Sequence, residues 1–172
     1  MKMIGLSALF LALSTLPVLT TAVFAAGSPF CTGDRPECVL QCYAASYAGR
    51  DSTSYAALLA ADYVRTDLSY PDQAPLDYKA DLELTKRMFR APSVRDLEIA
   101  FGSPGRVEPG EDPGIWLIRD IPSTLRIRGV SDTGRPGPWT VTKVVSFWVR
   151  LVPQPERHYV IFRQEMRDAA EK

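Results

Sequence analysis

The sequence is poor in the residues on which most metal and triad chemistry depends. One histidine, His158, and three cysteines, Cys31, Cys38 and Cys42, are all that 172 residues contain. A zinc site needs a cluster of such ligands, and the lone histidine is far from the cysteines in sequence. No serine or cysteine has a recognisable histidine and acid partner, which removes the Ser-His-Asp class. An excess of either charge is missing too, with 20 basic residues against 20 acidic. A chain without a basic run lacks the electrostatic footprint of a nucleic-acid binder. Internal repeats and low-complexity blocks are absent, so solenoid and linker architectures fall away. Nothing in the residue pattern calls for a cofactor.

The chain does have a long uncharged start. Met1-Lys2-Met3 is followed by "IGLSALFLALSTLPVLTTAVFA", and Val23-Phe24-Ala25 supplies a small-residue cleavage pattern. Residues 1–25 therefore read as a secretory signal peptide cleaved after Ala25. A retained membrane anchor is the competing reading, because the run reaches spanning length if Pro17 and its Ser/Thr positions are counted. Lipidation at Cys31 fits poorly, since Ser28-Pro29-Phe30 precede it. The expectation is an exported protein, periplasmic or secreted, with no membrane contact after cleavage. One disulfide agrees with that address: Cys31 lies in a lead-in able to fold back onto Cys38 or Cys42. Cys38 and Cys42, one helical turn apart, are poorly spaced to join each other.

Residues 26–34 form a lead-in loop, and residues 35–168 read as one domain with a polar tail at 169–172. Asp34 is a candidate N-cap and Pro36 suits a first helical turn. The first helix runs to about Ala48, with Val39, Leu40, Tyr43, Ala44 and Tyr47 as its stripe and Gly49 as its stop. Asp51 or Ser52 caps a second helix to about Ala60. "DYVRTD" is a short extended piece, after which Pro71 and Pro75 break the chain. A third helix spans 77–90, with Tyr78, Leu82, Thr85, Met88 and Phe89 inward and Asp81, Glu83, Lys86 and Arg87 in water.

From Pro92 the period changes to two. "VRDLEIAF" alternates, "GIWLIRD" and "TLRIRGV" follow around Pro122, and "WTVTKVVSFWVRLV" is a long strand. Its apolar face is Val141, Val145, Phe147, Val149 and Leu151, interrupted by Lys143. "HYVIFRQEM" closes the series, and Gly/Pro-rich turns separate the strands. His158 opens that last strand as a solvent-side residue. Arg126 and Arg128 share a solvated face. Trp116, Trp139 and Trp148 read as core or dimer contacts. The order is α+β: three N-terminal helices packed on a curved antiparallel sheet, a cone with a hollow at its wide end.

The stretch "VLQCYAASYAGRDSTSYAALLAADYVRTD" resembles the opening of NTF2-like proteins. That superfamily includes SnoaL-like cyclases, ketosteroid isomerases and nuclear transport factor 2. "DYKADLELTKRMFRA" and the strands after it resemble bacterial exported members, and the resemblance covers about residues 35–168. It implies the cone-shaped NTF2-like (cystatin-like) fold, often dimeric through the sheet. The ketosteroid isomerase branch has a "VVQRY"-like stretch whose tyrosine donates to a substrate oxyanion, and "VLQCY" sets Tyr43 in that role. Read on without a gap, that branch's catalytic-base aspartate falls at Asp67. In an apolar pocket, desolvation would raise the Asp67 pKa toward a useful value. The branch's second oxyanion donor, an aspartic acid on a late strand, has no counterpart: Val145 and Ser146 stand there.

Three functions follow as expectations. The first is a protein whose apolar cavity, lined by Tyr43, Tyr47, Phe89 and Phe147, binds a small hydrophobic molecule. The second is an isomerase or lyase using Tyr43 as hydrogen-bond donor and Asp67 as base. The third is a structural module that forms a homodimer through its sheet. Tyr43 and Tyr47, four apart on one helix face, are also consistent with core packing alone.

Overall fold

Helical spacing in the first third and two-residue alternation afterwards give three helices and a seven-stranded sheet in a computed structural model that describes residues 31, 33–130, 136–153 and 157–169. Residues 1–25, expected as a signal peptide, lie outside the described residues, as do most of the 26–34 lead-in and residues 131–135, 154–156 and 170–172. The elements are α1 (Cys38–Gly49), α2 (Ser52–Leu58), β1 (Leu59–Asp67), β2 (Leu76–Asp77), α3 (Tyr78–Arg90), β3 (Val94–Phe101), β4 (Arg106–Pro109), β5 (Ile115–Gly129), β6 (Trp139–Val152) and β7 (His158–Asp168).

Caps mark the helix ends. Asp51 starts α2 by accepting from the Thr53 and Ser54 N–H groups at 2.9 and 3.1 Å. Asp77 does the same for α3 at the Ala80 N–H, 2.8 Å. Two expectations change. Asp34 does not cap α1, which begins at Cys38 with Glu37 in the cap position. Its end is turned by Arg50, which takes the left-handed conformation at φ 51°, while Gly49 stays helical. The Arg50 guanidinium donates to the Val94 carbonyl at 2.7 Å, tying this turn to β3.

The largest corrections concern the sheet. Its order is β2-β1-β7-β6-β5-β3, with β4 also on β5. The second helix stops at Leu58, and Leu59 to Asp67 form a full strand instead of a helix end and a short extended piece. That strand runs parallel to β7, Arg65 opposite Gln164 and Asp67 opposite Met166. The sheet is thus mixed, with antiparallel pairing elsewhere. Strands β1 and β2 also separate α3 from the first two helices.

A second correction lies at Pro122. The stretches on either side of it are one strand, β5, with a bulge between Ile118 and Ile121. Asp120 occupies the bulge with φ 54°, a conformation that aspartate tolerates better than most residues. A bulge bends its strand and shifts the alternation by one. Ile118 and Ile121 therefore both face the core, each 0% exposed. Pro122 has no N–H to give, but its carbonyl accepts from Gly102 at 2.7 Å.

The helices lie against the concave face, where Val39, Leu58, Tyr55, Phe147, Val149 and Ile161 are buried. The convex face is polar. Ion pairs cross it, among them Arg150 with Asp62, Arg167 with Asp120 and Arg126 with Glu98. Trp148, half-buried, lies under the Arg163 guanidinium at 4.6 Å. Among the described residues no helix is long and apolar enough to cross a membrane.

Cys31 joins Cys42, with 5.9 Å between their Cα atoms, and of the two expected partners Cys38 stays free. Closing a loop of sequence separation 11 stabilises by about 3 kcal/mol on the chain-entropy account. Burial, and then Glu37, push the Cys38 thiol up to about 11, so it stays protonated. His158, expected on the solvent side, is buried at the start of β7. The bridged Cys31 reaches the same strand, where its carbonyl accepts the Tyr159 N–H at 3.4 Å.

Candidate functional site

Alternation in β1 turns Tyr63, Arg65 and Asp67 to the concave side, and pairing with β7 brings Gln164 and Met166 beside them. Strand β6 adds Val141, Lys143 and Val145, and β5 adds Ser123 and Leu125. Ile99 and Phe101 of β3 and Tyr43 and Tyr47 of α1 close the ring. Apart from Tyr63, which lies behind Gln164, these side chains enclose a cavity of about 260 Å³. Most of the lining along β3, β5 and β6 is apolar, Ser123 and Lys143 excepted, and polar groups stand at two levels.

The deep level is built from side chains that the sequence reading mostly left out. Asp81 was expected in water but is 0% exposed. It forms an ion pair with Arg65, whose side chain is 17% exposed. Asp81 Oδ2 accepts from the Tyr55 hydroxyl at 2.6 Å, and Oδ1 is met by the guanidinium alone. Burial would lower the Arg65 pKa, but the Asp81 carboxylate outweighs it and holds the guanidinium charged. The Tyr63 hydroxyl donates to Gln164 Oε1 at 2.8 Å.

Tyr43 and Tyr47 stack at 5.1 Å, and Tyr55 meets Tyr43 edge-on at 5.4 Å. The Tyr43 hydroxyl lies 3.5 Å from those of both Tyr47 and Tyr55, long for an O–H···O bond. Burial, then the neighbouring Tyr47, push the Tyr43 pKa well above that of a free phenol. Tyr43 is therefore a neutral phenol with a proton to donate. Phe89 and Phe147, both expected to line the hollow, stand one layer behind the tyrosines. Phe89 packs edge-on against Tyr47 at 5.2 Å, and Phe147 lies 5.7 Å from the Tyr43 ring.

Lys143 governs the outer level. Its ammonium is 3.0 Å from Asp67 Oδ2 and 2.7 Å from Asp168 Oδ1, and 5.1 Å from the Tyr70 ring centroid. Ser69 joins this latch, its N–H donating to Asp67 at 3.0 Å and its hydroxyl accepting the Asp168 N–H at 2.7 Å. Tyr43 and Asp67 thus do line one cavity. The expected upward shift of Asp67 is reversed, however. Burial pushes its pKa up, but hydrogen bonds from Lys143 and Ser69 outweigh it and hold the carboxyl below 3.8. Ser146 faces away from the cavity, where its hydroxyl accepts the Asp120 N–H at 3.3 Å.

The sign of the pH effect follows from the two partners. Asp67, lowered on folding, stabilises above its unfolded value, and this is lost as pH falls through the folded value. Lys143 is raised above 10.5: burial opposes the shift, and the hydrogen bonds to Asp168 and Asp67 overcome it. Its contribution is lost as pH rises through that raised value. The latch is whole from about pH 4 to about pH 10. Lys143→Met is expected to be less stable than wild type by about 1 kcal/mol across pH 5–9, the gap closing below about pH 4. Urea unfolding of both proteins across pH measures it, and a gap that stays constant down to pH 2 refutes the latch.

Neither a family model nor a curated protein matches the sequence. Solved structures do. An NTF2-like protein of unknown function in nutrient uptake from Rhodospirillum rubrum superposes with a TM-score of 0.58 at 16% identity, covering 79% of this chain and 99% of that one. A ketosteroid isomerase-like protein from Erwinia carotovora atroseptica gives 0.54 at 12% identity, covering 79% and 95%. The chain has the NTF2-like fold. A hexachlorocyclohexane dehydrochlorinase of type 2 also matches, with a TM-score of 0.56 at 8% identity over 74% and 78%. Such identities carry the NTF2-like fold and nothing finer.

The missing site residues had signals of different strength. Arg65 follows from reading "DYVRTD" with period two, which sets it between Tyr63 and Asp67 on one face. Lys143 announced itself as the one charge on the apolar face of β6. Asp81 sits at i−4 from Thr85 and i+3 from Tyr78, on the edge of the α3 stripe, where a charge ordinarily faces water.

Proposed function

We propose that this is an exported protein of NTF2-like fold whose cavity binds a small, mainly apolar molecule. One observation carries the reading: a space of about 260 Å³ bordered by Ile99, Phe101, Leu125, Val141, Val145 and Met166, with polar groups at its deep and outer levels. Small-molecule sites combine an apolar wall with a few convergent polar groups in this way. The Cys31–Cys42 bridge supports export, since such bonds persist in oxidising compartments.

The test is extraction of protein purified without denaturant, followed by mass spectrometry of what is released. A single small molecule is expected from wild type and not from Val141→Trp, which plugs the mouth at an exposed position. Equal recovery from both, or none from either together with no uptake of added apolar compounds, ends the proposal.

A second reading is an isomerase or lyase with Tyr43 as donor and Asp67 as base, and the observation in its favour is their shared cavity. It is the weaker reading, because Asp67 is held by Lys143 and has become a poorer base. It expects Tyr43→Phe and Asp67→Asn each to slow deuterium exchange at carbons beside a bound carbonyl, by about 100-fold or more for the donor. Rates unchanged in both variants remove it.

A further inference from the structure

The deep end of the cavity has a donor surplus. Asp81 engages one terminal nitrogen of Arg65, and a guanidinium has five N–H groups. Those not facing Asp81 remain for the cavity that Arg65 lines. Gln164 spends its oxygen on Tyr63, which leaves the amide nitrogen as a donor; among the described residues it has no partner. Tyr43 holds only two 3.5 Å contacts, so turning its proton toward a ligand costs little. Tyr55 cannot serve, because its hydroxyl already donates to Asp81 Oδ2 at 2.6 Å.

Charge sets the second condition. The two cations of the lining, Arg65 and Lys143, are each already matched by a carboxylate, Asp81 and Asp67, and Lys143 also by Asp168. An incoming carboxylate would add an uncompensated charge to a partly dry space and displace one of these partners. An incoming ammonium would meet the donor surplus at the deep end, and the one carboxylate of the lining, Asp67, is already held by Lys143 and the Ser69 N–H. An uncharged group with lone pairs meets neither penalty.

We infer that the cavity selects an uncharged carbonyl compound (a ketone, lactone or ester on a small apolar frame), its oxygen bound by Arg65, Gln164 and Tyr43, with Asp81 as the positioning residue that fixes Arg65. This rests on the binding function proposed above and names the ligand class for that site. Asp81 touches no ligand; it directs the guanidinium and accepts the Tyr55 hydrogen bond.

The test uses four probes of nearly one shape: indane, 1-indanone, indane-1-carboxylate and 1-aminoindane, titrated into the folded protein by calorimetry. The indanone is expected to bind roughly tenfold to a hundredfold tighter than indane, the range of a hydrogen bond to a charged donor. Both ionic probes should bind no better than indane. In Arg65→Met the indanone advantage should vanish while indane binding is kept. Because that variant leaves the Asp81 carboxylate without its cation, the double variant Arg65→Met/Asp81→Asn is measured alongside. Arg65→Lys should regain part of the advantage. Indanone no tighter than indane, a preference for the carboxylate, or an advantage that survives loss of Arg65 in the double variant overturns the inference and leaves the binding function standing. Failure of all four probes to bind takes down the binding function and this inference with it.

Discussion

Asp81→Ala is expected to lose about 3–5 kcal/mol of unfolding free energy, the usual result of breaking a buried ion pair from one side. The cause is what remains. Asp81 is 0% exposed and Arg65 is 17% exposed, so the variant strands a guanidinium with little water to replace its partner. Tyr55 also loses the acceptor for a buried hydroxyl. Some water reaches Arg65 through the cavity, which draws the loss toward the lower end. A fall in Tm of about 10 °C or more accompanies it for a domain of this size. Arg65→Met/Asp81→Asn should regain at least half of the loss, because the pair is then removed as a unit. Urea unfolding of the wild type, Asp81→Ala, and the cycle of Arg65→Met, Asp81→Asn and their double variant measures the loss and the coupling. Losses that simply add would show that the two residues do not act together.

Phe147→Ala is the second large effect, about 3–5 kcal/mol. The ring is 0% exposed and packs against Tyr43 at 5.7 Å and Phe101 at 5.9 Å. Both of those neighbours line the cavity. Removing Phe147 therefore takes away the backing of the wall, and the space gained joins the site. The variant is expected to bind a three-ring hydrocarbon such as fluorene better than wild type does, despite its lower stability. Urea unfolding and calorimetry with indane and fluorene check the two halves. A loss under about 1 kcal/mol would mean that the core collapses into the gap, and the size preference would then stay as it was.

The parts of this molecule legible in the sequence are those governed by neighbours in the chain. Helical stripes, Asp51 as a cap and the alternation of β3, β6 and β7 all follow from spacing. What was missed depends on residues far away. Nothing within "LLAADYVRTD" says that it lies beside "HYVIFRQEM", and without that pairing the first part reads as the end of a helix. Asp81 looks like any solvated helix charge until Arg65, sixteen positions earlier and on another element, is opposite it. His158 looks exposed because it follows a Pro-rich turn, and nothing in that turn says that it is buried. Pro122 reads as a break because its tolerance rests on a bulge and on Gly102. The same distance effect governed the site: Tyr43 and Asp67 were reached through resemblance, whereas Arg65 and Gln164 become partners only through the parallel pairing.

That pairing has a consequence for how the molecule is made. Among the described residues strand β1 meets β2 and β7 in the sheet, so its main partner is made after all the other described strands. Until residue 168 has emerged, Arg65 and Asp67 have no neighbouring strand on that side, and the binding space lacks a wall. Contacts this distant in sequence form late and slowly. A chain that has made β1 but not yet β7 therefore has no closed cavity, whatever the helices have already done.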